Sequence, residues 1–254
     1  MNRRIFSKQL ALLGAGFSII PSCGFENQKF ILKDGMKIAF IGDSITQAGG
    51  YIELLRSFIA KRYPDKKVEL INLGLSGETI TGLTEESHPG PRPYLFDRLE
   101  SLLDEHKPDV AFYCYGINCG IYQPFSQDTM DRYKQGFERI EKETTSRNIE
   151  LVLMTPPPFA LTDEQKNTLL SENLEIYTWQ KPWPDYDEDV MIKEYEFVKQ
   201  FAESEEYRLI DIRTPLFAQK EKAYSVDPIH PNETGHGIIA SAIVKQLFEE
   251  KVSF

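Results

Sequence analysis

Two separated stretches of the chain carry residue types suited to nucleophilic catalysis. The apolar run Ile38-Ala39-Phe40-Ile41 stops abruptly at Gly42-Asp43-Ser44, and far downstream Asp227-Pro228-Ile229-His230-Pro231 sets a carboxylate three residues before an imidazole. A serine hydroxyl is a weak nucleophile unless a base takes its proton and a third group orients that base. On a tight turn an Asp three residues ahead of a His can accept the Nδ1 proton. That fixes the tautomer, leaves Nε2 for the serine, and stabilises the imidazolium formed during reaction. Pro228 and Pro231 restrict this turn and lower the entropy cost of holding it.

Acyl transfer also needs donors for the oxyanion of the tetrahedral intermediate, each worth roughly 3–4 kcal/mol of barrier. Gly77, in Ser76-Gly77-Glu78-Thr79, and Asn118, in Gly116-Ile117-Asn118-Cys119, are candidates beside the N–H of Ser44. Alone, a glycine or asparagine after a strand is a turn residue, and an isolated D-x-x-H is a turn histidine with a side-chain partner.

The elements that must position these residues alternate. Strands are expected over 37–41, 67–72, 110–115, 149–155 and 207–212, and helices over 51–62, 94–106, 128–146, 190–203 and 233–249. Strand–helix alternation with crossovers of this length implies a parallel sheet covered on both faces. The expected fold class is α/β: a three-layer α/β/α sandwich with a flavodoxin-like, five-stranded parallel sheet. Every polar, glycine-bearing cluster then falls at the carboxyl edge of the sheet, where open α/β folds bind ligands. Residues 159–187 interrupt the alternation as a loop-rich, aromatic insertion holding Trp179 and Trp183.

Together, Gly42-Asp43-Ser44-Ile45-Thr46, Gly77, Gly116-Ile117-Asn118 and Asp227-Pro228-Ile229-His230-Pro231 resemble the four ordered blocks of the SGNH/GDSL hydrolase superfamily. The resemblance implies Ser44 as nucleophile, His230 as general base and Asp227 as its orienting acid. It implies an oxyanion hole from the Ser44 and Gly77 backbones and the Asn118 amide, with Asp43 structural and no cofactor. The family usually has Asp after the Asn of the third block; here Cys119 stands there, which opens the question of what braces the Asn118 loop. No G-x-S-x-G elbow is present, which disfavours the ordinary α/β-hydrolase arrangement, and the four histidines lack metal-ligand spacing.

The N-terminus reads as an address. Arg3 and Arg4 precede an apolar stretch from Leu10 to Ile20 that is too short to span a bilayer stably. Asn2 to Lys8 loosely resembles a twin-arginine motif, and Ile20-Pro21-Ser22-Cys23 resembles a lipobox. Residues 1–23 are therefore expected to be an export signal, with Cys23 as a lipidation site and plain cleavage or an uncleaved anchor as alternatives. The expected location is periplasmic or cell-surface. Residues 24–36 are expected to be a linker and 37–254 the hydrolase domain.

The chain carries a net charge of −10, and removing the basic N-terminal segment leaves 26 basic against 39 acidic side chains. Such a surface repels phosphate backbones, which argues against nucleic acid as a partner. Cys114 and Cys119 read as packing residues. The expected substrate is a short-chain, acetyl-type ester on a carbohydrate, an expectation that rests on analogy with exported relatives. The alternatives are a lipid esterase or thioesterase of the same family, or a non-catalytic carbohydrate-binding protein.

Overall fold

In the computed structural model, residues 30–172 and 174–254 are described. Five strands form one sheet: β1 (Lys37–Gly42), β2 (Glu69–Asn72), β3 (Val110–Cys114), β4 (Glu150–Met154) and β5 (Arg208–Ile210). Their order is β2-β1-β3-β4-β5 and every pairing is parallel. This is the expected doubly covered sheet, and β1 lies at its interior between β2 and β3.

Alternation along the strands explains the two helix layers, because successive side chains of a strand point to opposite faces. Ile38, Phe40, Val110, Phe112, Val152 and Ile210 enter one buried cluster, while Ala39, Ile41, Ala111, Tyr113, Leu151 and Leu153 enter a second. The helices, in chain order, are α1 (Ser44–Ala48), α2 (Gly50–Arg62), α3 (Leu99–His106), α4 (Gln127–Thr145), α5 (Asp163–Glu172), α6 (Ile192–Ser204), α7 (Arg213–Ala218), α8 (Lys220–Ala223) and α9 (Glu233–Phe248). α2 and α9 close the first cluster with Ile52, Leu55, Ile239 and Ile243. α3, α4 and α6 close the second with Leu103, Phe137, Ile140 and Val198.

Three boundaries differ from expectation. The second half of the proposed linker belongs to the core: Phe30, Leu32 and Met36 are buried, and Phe30 packs edge-on against Phe248 at 5.8 Å. Their apolar spacing was masked by the intervening Lys33, Asp34 and Gly35. The helix expected over 94–106 is split into a 3-10 turn, Leu95–Asp97, and α3. Arg98 sits at the break (φ −132°, ψ −14°) and spends its guanidinium on Glu78 and the Leu73 carbonyl. The insertion at 159–187 is not all loop, since α5 lies within it. The export signal and Cys23 fall outside the described residues. Among the described residues no helix is long and apolar enough to cross a membrane.

Candidate active site

β1 delivers its chain to the carboxyl edge of the sheet through Gly42. A Cβ there would sit 2.8 Å from the Cys114 carbonyl oxygen and closer still to Thr46 Oγ1, so no larger residue fits. Asp43 then caps α1, its Oδ1 accepting the Ile45 N–H at 3.0 Å. Burial pushes the Asp43 carboxyl up to about 7, against the lowering effect of that hydrogen bond. Ser44, half-buried, opens the helix.

The Asp227–His230 turn meets Ser44 from across the sheet edge. Ser44 Oγ lies 2.8 Å from His230 Nε2, and His230 Nδ1 lies 2.6 Å from Asp227 Oδ2. The other carboxylate oxygen, Oδ1, accepts the N–H groups of Ile229 (2.8 Å) and His230 (3.2 Å). Burial alone would raise the Asp227 carboxyl; the His230 hydrogen bond and these two backbone donors outweigh it and hold the group below the ordinary carboxylate range. The turn is anchored from behind, because Ala160 N–H donates to the Pro228 carbonyl at 2.8 Å and Ile229 is buried beside Phe159, Tyr122 and Tyr186.

The loops after β2 and β3 are bonded to this frame and to each other. Leu75 N–H donates to the Gly42 carbonyl at 2.9 Å. Gly77 takes φ +74°, a left-handed conformation that a side chain would strain. Asn118 is buried, and its Oδ1 accepts the Tyr122 hydroxyl at 2.6 Å. That assigns the oxygen side of the amide, leaving Nδ2 as the donor; one of its hydrogens reaches the Glu78 carbonyl at 3.3 Å. The bracing question raised by Cys119 thus has a structural answer. The Cys119 thiol is buried and its main chain ties to Gly116 and Thr81, while Tyr122 and Arg92 hold the Asn118 side chain.

The structure therefore joins Ser44, His230 and Asp227 in one hydrogen-bonded line and ties the Asn118 side chain to the Gly77–Glu78 loop. Sequence reasoning missed the groups beneath these loops: Arg92 with Glu85, Arg98 with Glu78, and Tyr122. A lone Arg or Glu in a polar segment carries no sign of its partner. Glu78 is fully buried, paired with Arg98 at 2.6 Å, and accepts the Tyr115 hydroxyl. His236, unassigned from the sequence, stacks on Tyr51 at 6.1 Å, and burial pushes its imidazole below the ordinary value. The tryptophans divide. Trp183 packs against the cluster around Tyr122 and Tyr186, whereas Trp179 is 47% exposed in a groove of about 630 Å³ that reaches Asp227 and Ile229. Cys114 and Cys119 are buried free thiols. Among the described residues no group of three or more His, Cys, Asp or Glu side chains is arranged to hold a metal ion.

With this geometry in hand, residues 40–238 match the model of the GDSL-like lipase/acylhydrolase family. The chain belongs to that family. Membership makes it a carboxylic ester hydrolase on the SGNH fold. An acetylxylan esterase from Geobacillus stearothermophilus is 24% identical over 238 residues, covering 84% of this chain and 94% of that protein. The crystal structure of an acetylxylan esterase from the same organism superposes with a TM-score of 0.62, covering 85% of this chain and 95% of its own. An alpha/beta hydrolase enzyme from the Lake Arreo metagenome, 21% identical, also superposes at 0.62, covering 86% and 99%. At these identities the superpositions establish the fold.

Proposed function

We propose that the protein is an exported serine esterase that removes acetyl groups from a carbohydrate through Ser44, His230 and Asp227. The observation that carries the reading is the 2.8 Å and 2.6 Å line from Ser44 Oγ through His230 to Asp227. His230 Nε2 takes the Ser44 proton as Oγ attacks the ester carbonyl. The oxyanion forms toward the N–H groups of Ser44 and Gly77 and toward Asn118 Nδ2. Collapse expels the sugar hydroxyl, which receives its proton from His230, and leaves an acetyl-serine. Water, activated by the same imidazole, then releases acetate.

The carbohydrate part rests on two supports. The similar proteins include an acetylxylan esterase. In addition, the groove beside the Asp227 turn sets the exposed face of Trp179 among Gln165, Glu172 and Gln180, an aromatic platform with polar groups at its edge that suits a pyranose ring. The leaving alcohol must lie on the His230 side of Ser44 to be protonated, and Asp227, Pro228 and Ile229 of the turn that carries His230 line this groove. Leu161, Leu169 and Val226 also line it, and these favour a second reading, an apolar alcohol or acyl chain.

The test compares acetate release from acetylated xylo-oligosaccharides with hydrolysis of p-nitrophenyl esters of increasing chain length and of acetyl-CoA, alongside Ser44→Ala. Acetate release that vanishes in Ser44→Ala, with activity falling as the acyl chain lengthens, is the expected result. Preference for long-chain esters would replace the sugar reading with the lipid one. Hydrolysis undiminished in Ser44→Ala would sink both. For export and anchoring, radiolabelled palmitate should enter the wild type and not Cys23→Ala; a wild-type protein without label and free of the membrane overturns lipidation.

A further inference from the structure

The Arg92 side chain touches both loops holding the proposed oxyanion donors after β2 and β3. It is 7% exposed and lies in the segment between them. Glu85, 2% exposed, takes its Nε and Nη2 in a bidentate pair at 2.5 Å each. The remaining nitrogen, Nη1, reaches the Gly77 carbonyl at 3.1 Å and Asn118 Oδ1 at 3.5 Å. The guanidinium also faces the ring of Tyr122, 5.4 Å from its centroid, and the hydroxyl of that ring donates to the same Asn118 oxygen. The charge is fully compensated, so its position is defined by Glu85 and not by solvent.

We propose that Arg92 is a positioning residue for ester hydrolysis, clamping Gly77 and Asn118 from one side so that both donors keep their aim at the oxyanion. This rests on the reading of Gly77 and Asn118 given above. Fixing the Gly77 carbonyl holds the left-handed residue whose own N–H must point at the reacting oxygen. Placing positive charge against Asn118 Oδ1 disfavours the flipped amide, which would turn an acceptor toward a developing negative charge. Preorganised donors stabilise a transition state because they need no reorganisation during reaction, so a clamp that sets their direction acts on rate more than on substrate binding. Cys119, with only a thiol and its backbone to offer, leaves this task to Arg92 and Tyr122.

The deciding variant is Arg92→Lys, which keeps a cation for Glu85 but cannot hold the carboxylate bidentately and reach two further acceptors. On protein shown to be folded by circular dichroism, kcat/KM for p-nitrophenyl acetate should fall about 10- to 100-fold, up to the loss of one oxyanion donor. The Ki of butylboronic acid, whose serine adduct places a tetrahedral oxygen in the hole, should weaken by the same factor. A structural residue without this role would not move the boronate constant in step with the rate. Glu85→Gln, which retains one acceptor oxygen and the same shape, should shift both readouts in the same direction by less, and it decides the matter if Arg92→Lys does not fold. Rates within twofold of wild type, or rate losses with an unchanged boronate Ki, overturn the clamp. Ser44→Ala and Asn118→Ala are assayed in parallel. If they keep wild-type activity the site reading itself fails, whereas if they lose it while Arg92→Lys does not, only the clamp fails.

Discussion

Asp227 divides its two carboxylate oxygens between two tasks: Oδ2 faces His230 Nδ1 at 2.6 Å, while Oδ1 holds the turn through the N–H groups of Ile229 and His230. A three-residue spacing permits this because the turn brings its own backbone amides under the carboxylate. Orientation of the imidazole and rigidity of the loop therefore come from one side chain.

Asp227→Asn separates these tasks. The amide oxygen can keep both backbone bonds, but its NH₂ then faces Nδ1 and selects the wrong imidazole tautomer. The expected result is a loss in kcat of about 10²- to 10⁴-fold with KM little changed. The Asp227 side chain is 46% exposed, so water can partly replace it, which favours the lower part of that range. Steady-state kinetics on p-nitrophenyl acetate measure it, and a loss under tenfold would remove Asp227 from the orienting role.

Asp43 makes a prediction about pH. Its carboxyl rises on folding to about 7 from an ordinary value of 3.8, chiefly through burial. The folded state thus holds the proton more tightly than the unfolded chain. This group's contribution to stability is fully present below pH 4, declines as pH rises from about 4 to about 7, and is flat beyond. Asp43→Asn removes the titration while retaining a side-chain oxygen for the Ile45 N–H. The melting-temperature difference, variant minus wild type, should therefore grow by several degrees between pH 4 and pH 8. A difference independent of pH would show that Asp43 does not titrate in that window.

Those two aspartates also mark how far the sequence could be read. The sheet was legible because a strand covered on both faces is apolar throughout, as in Ile38 to Ile41, and the D-x-x-H turn was legible because its two groups are local. α1 was not, since Ser44–Ala48 is too short to show a helical period and its cap had the look of a turn. Arg92 and Glu85 were illegible for another reason. Their meaning comes from Gly77 and Asn118, which only the folded chain brings beside them. Helix α5 was hidden among polar residues, because only Leu169 of its side chains is buried.

A second buried ion pair supports the turn from below. Arg213 and Asp187 form a bidentate contact at 2.9 and 2.6 Å; Asp187 also accepts Phe159 N–H at 2.6 Å, and Arg213 donates to the Pro157 carbonyl at 3.2 Å. This pins the end of the insertion to the exit of β4, one residue before Ala160 bonds the Pro228 carbonyl. Asp187→Ala leaves the arginine buried without its partner, for which the expected cost is about 3–5 kcal/mol. Urea unfolding measures it. The double variant Asp187→Leu/Arg213→Met should recover much of the loss, since removing both charges ends the desolvation penalty; no recovery would place the cost in the lost Phe159 and Pro157 bonds instead.

The proposed role of the Trp179 groove in holding a sugar can be tested apart from the chemistry at Ser44. Trp179 is 47% exposed and shares its groove with Asp227, Pro228 and Ile229, whereas neither Ser44 nor His230 lines that groove. It can touch a sugar unit further along the alcohol part of the ester. Trp179→Ala should therefore raise KM several-fold for acetylated xylo-oligosaccharides while leaving kcat/KM for p-nitrophenyl acetate within twofold. Losses that are equal for both substrates would mean that Trp179 supports the insertion rather than the substrate. Trp183→Phe is the contrasting variant. Trp183 packs against the cluster that holds Ile229, and its backbone N–H donates to the Tyr122 carbonyl at 2.8 Å. Its substitution should lower the melting temperature and affect both substrates alike, because it loosens the seat of the His230 turn instead of a sugar platform.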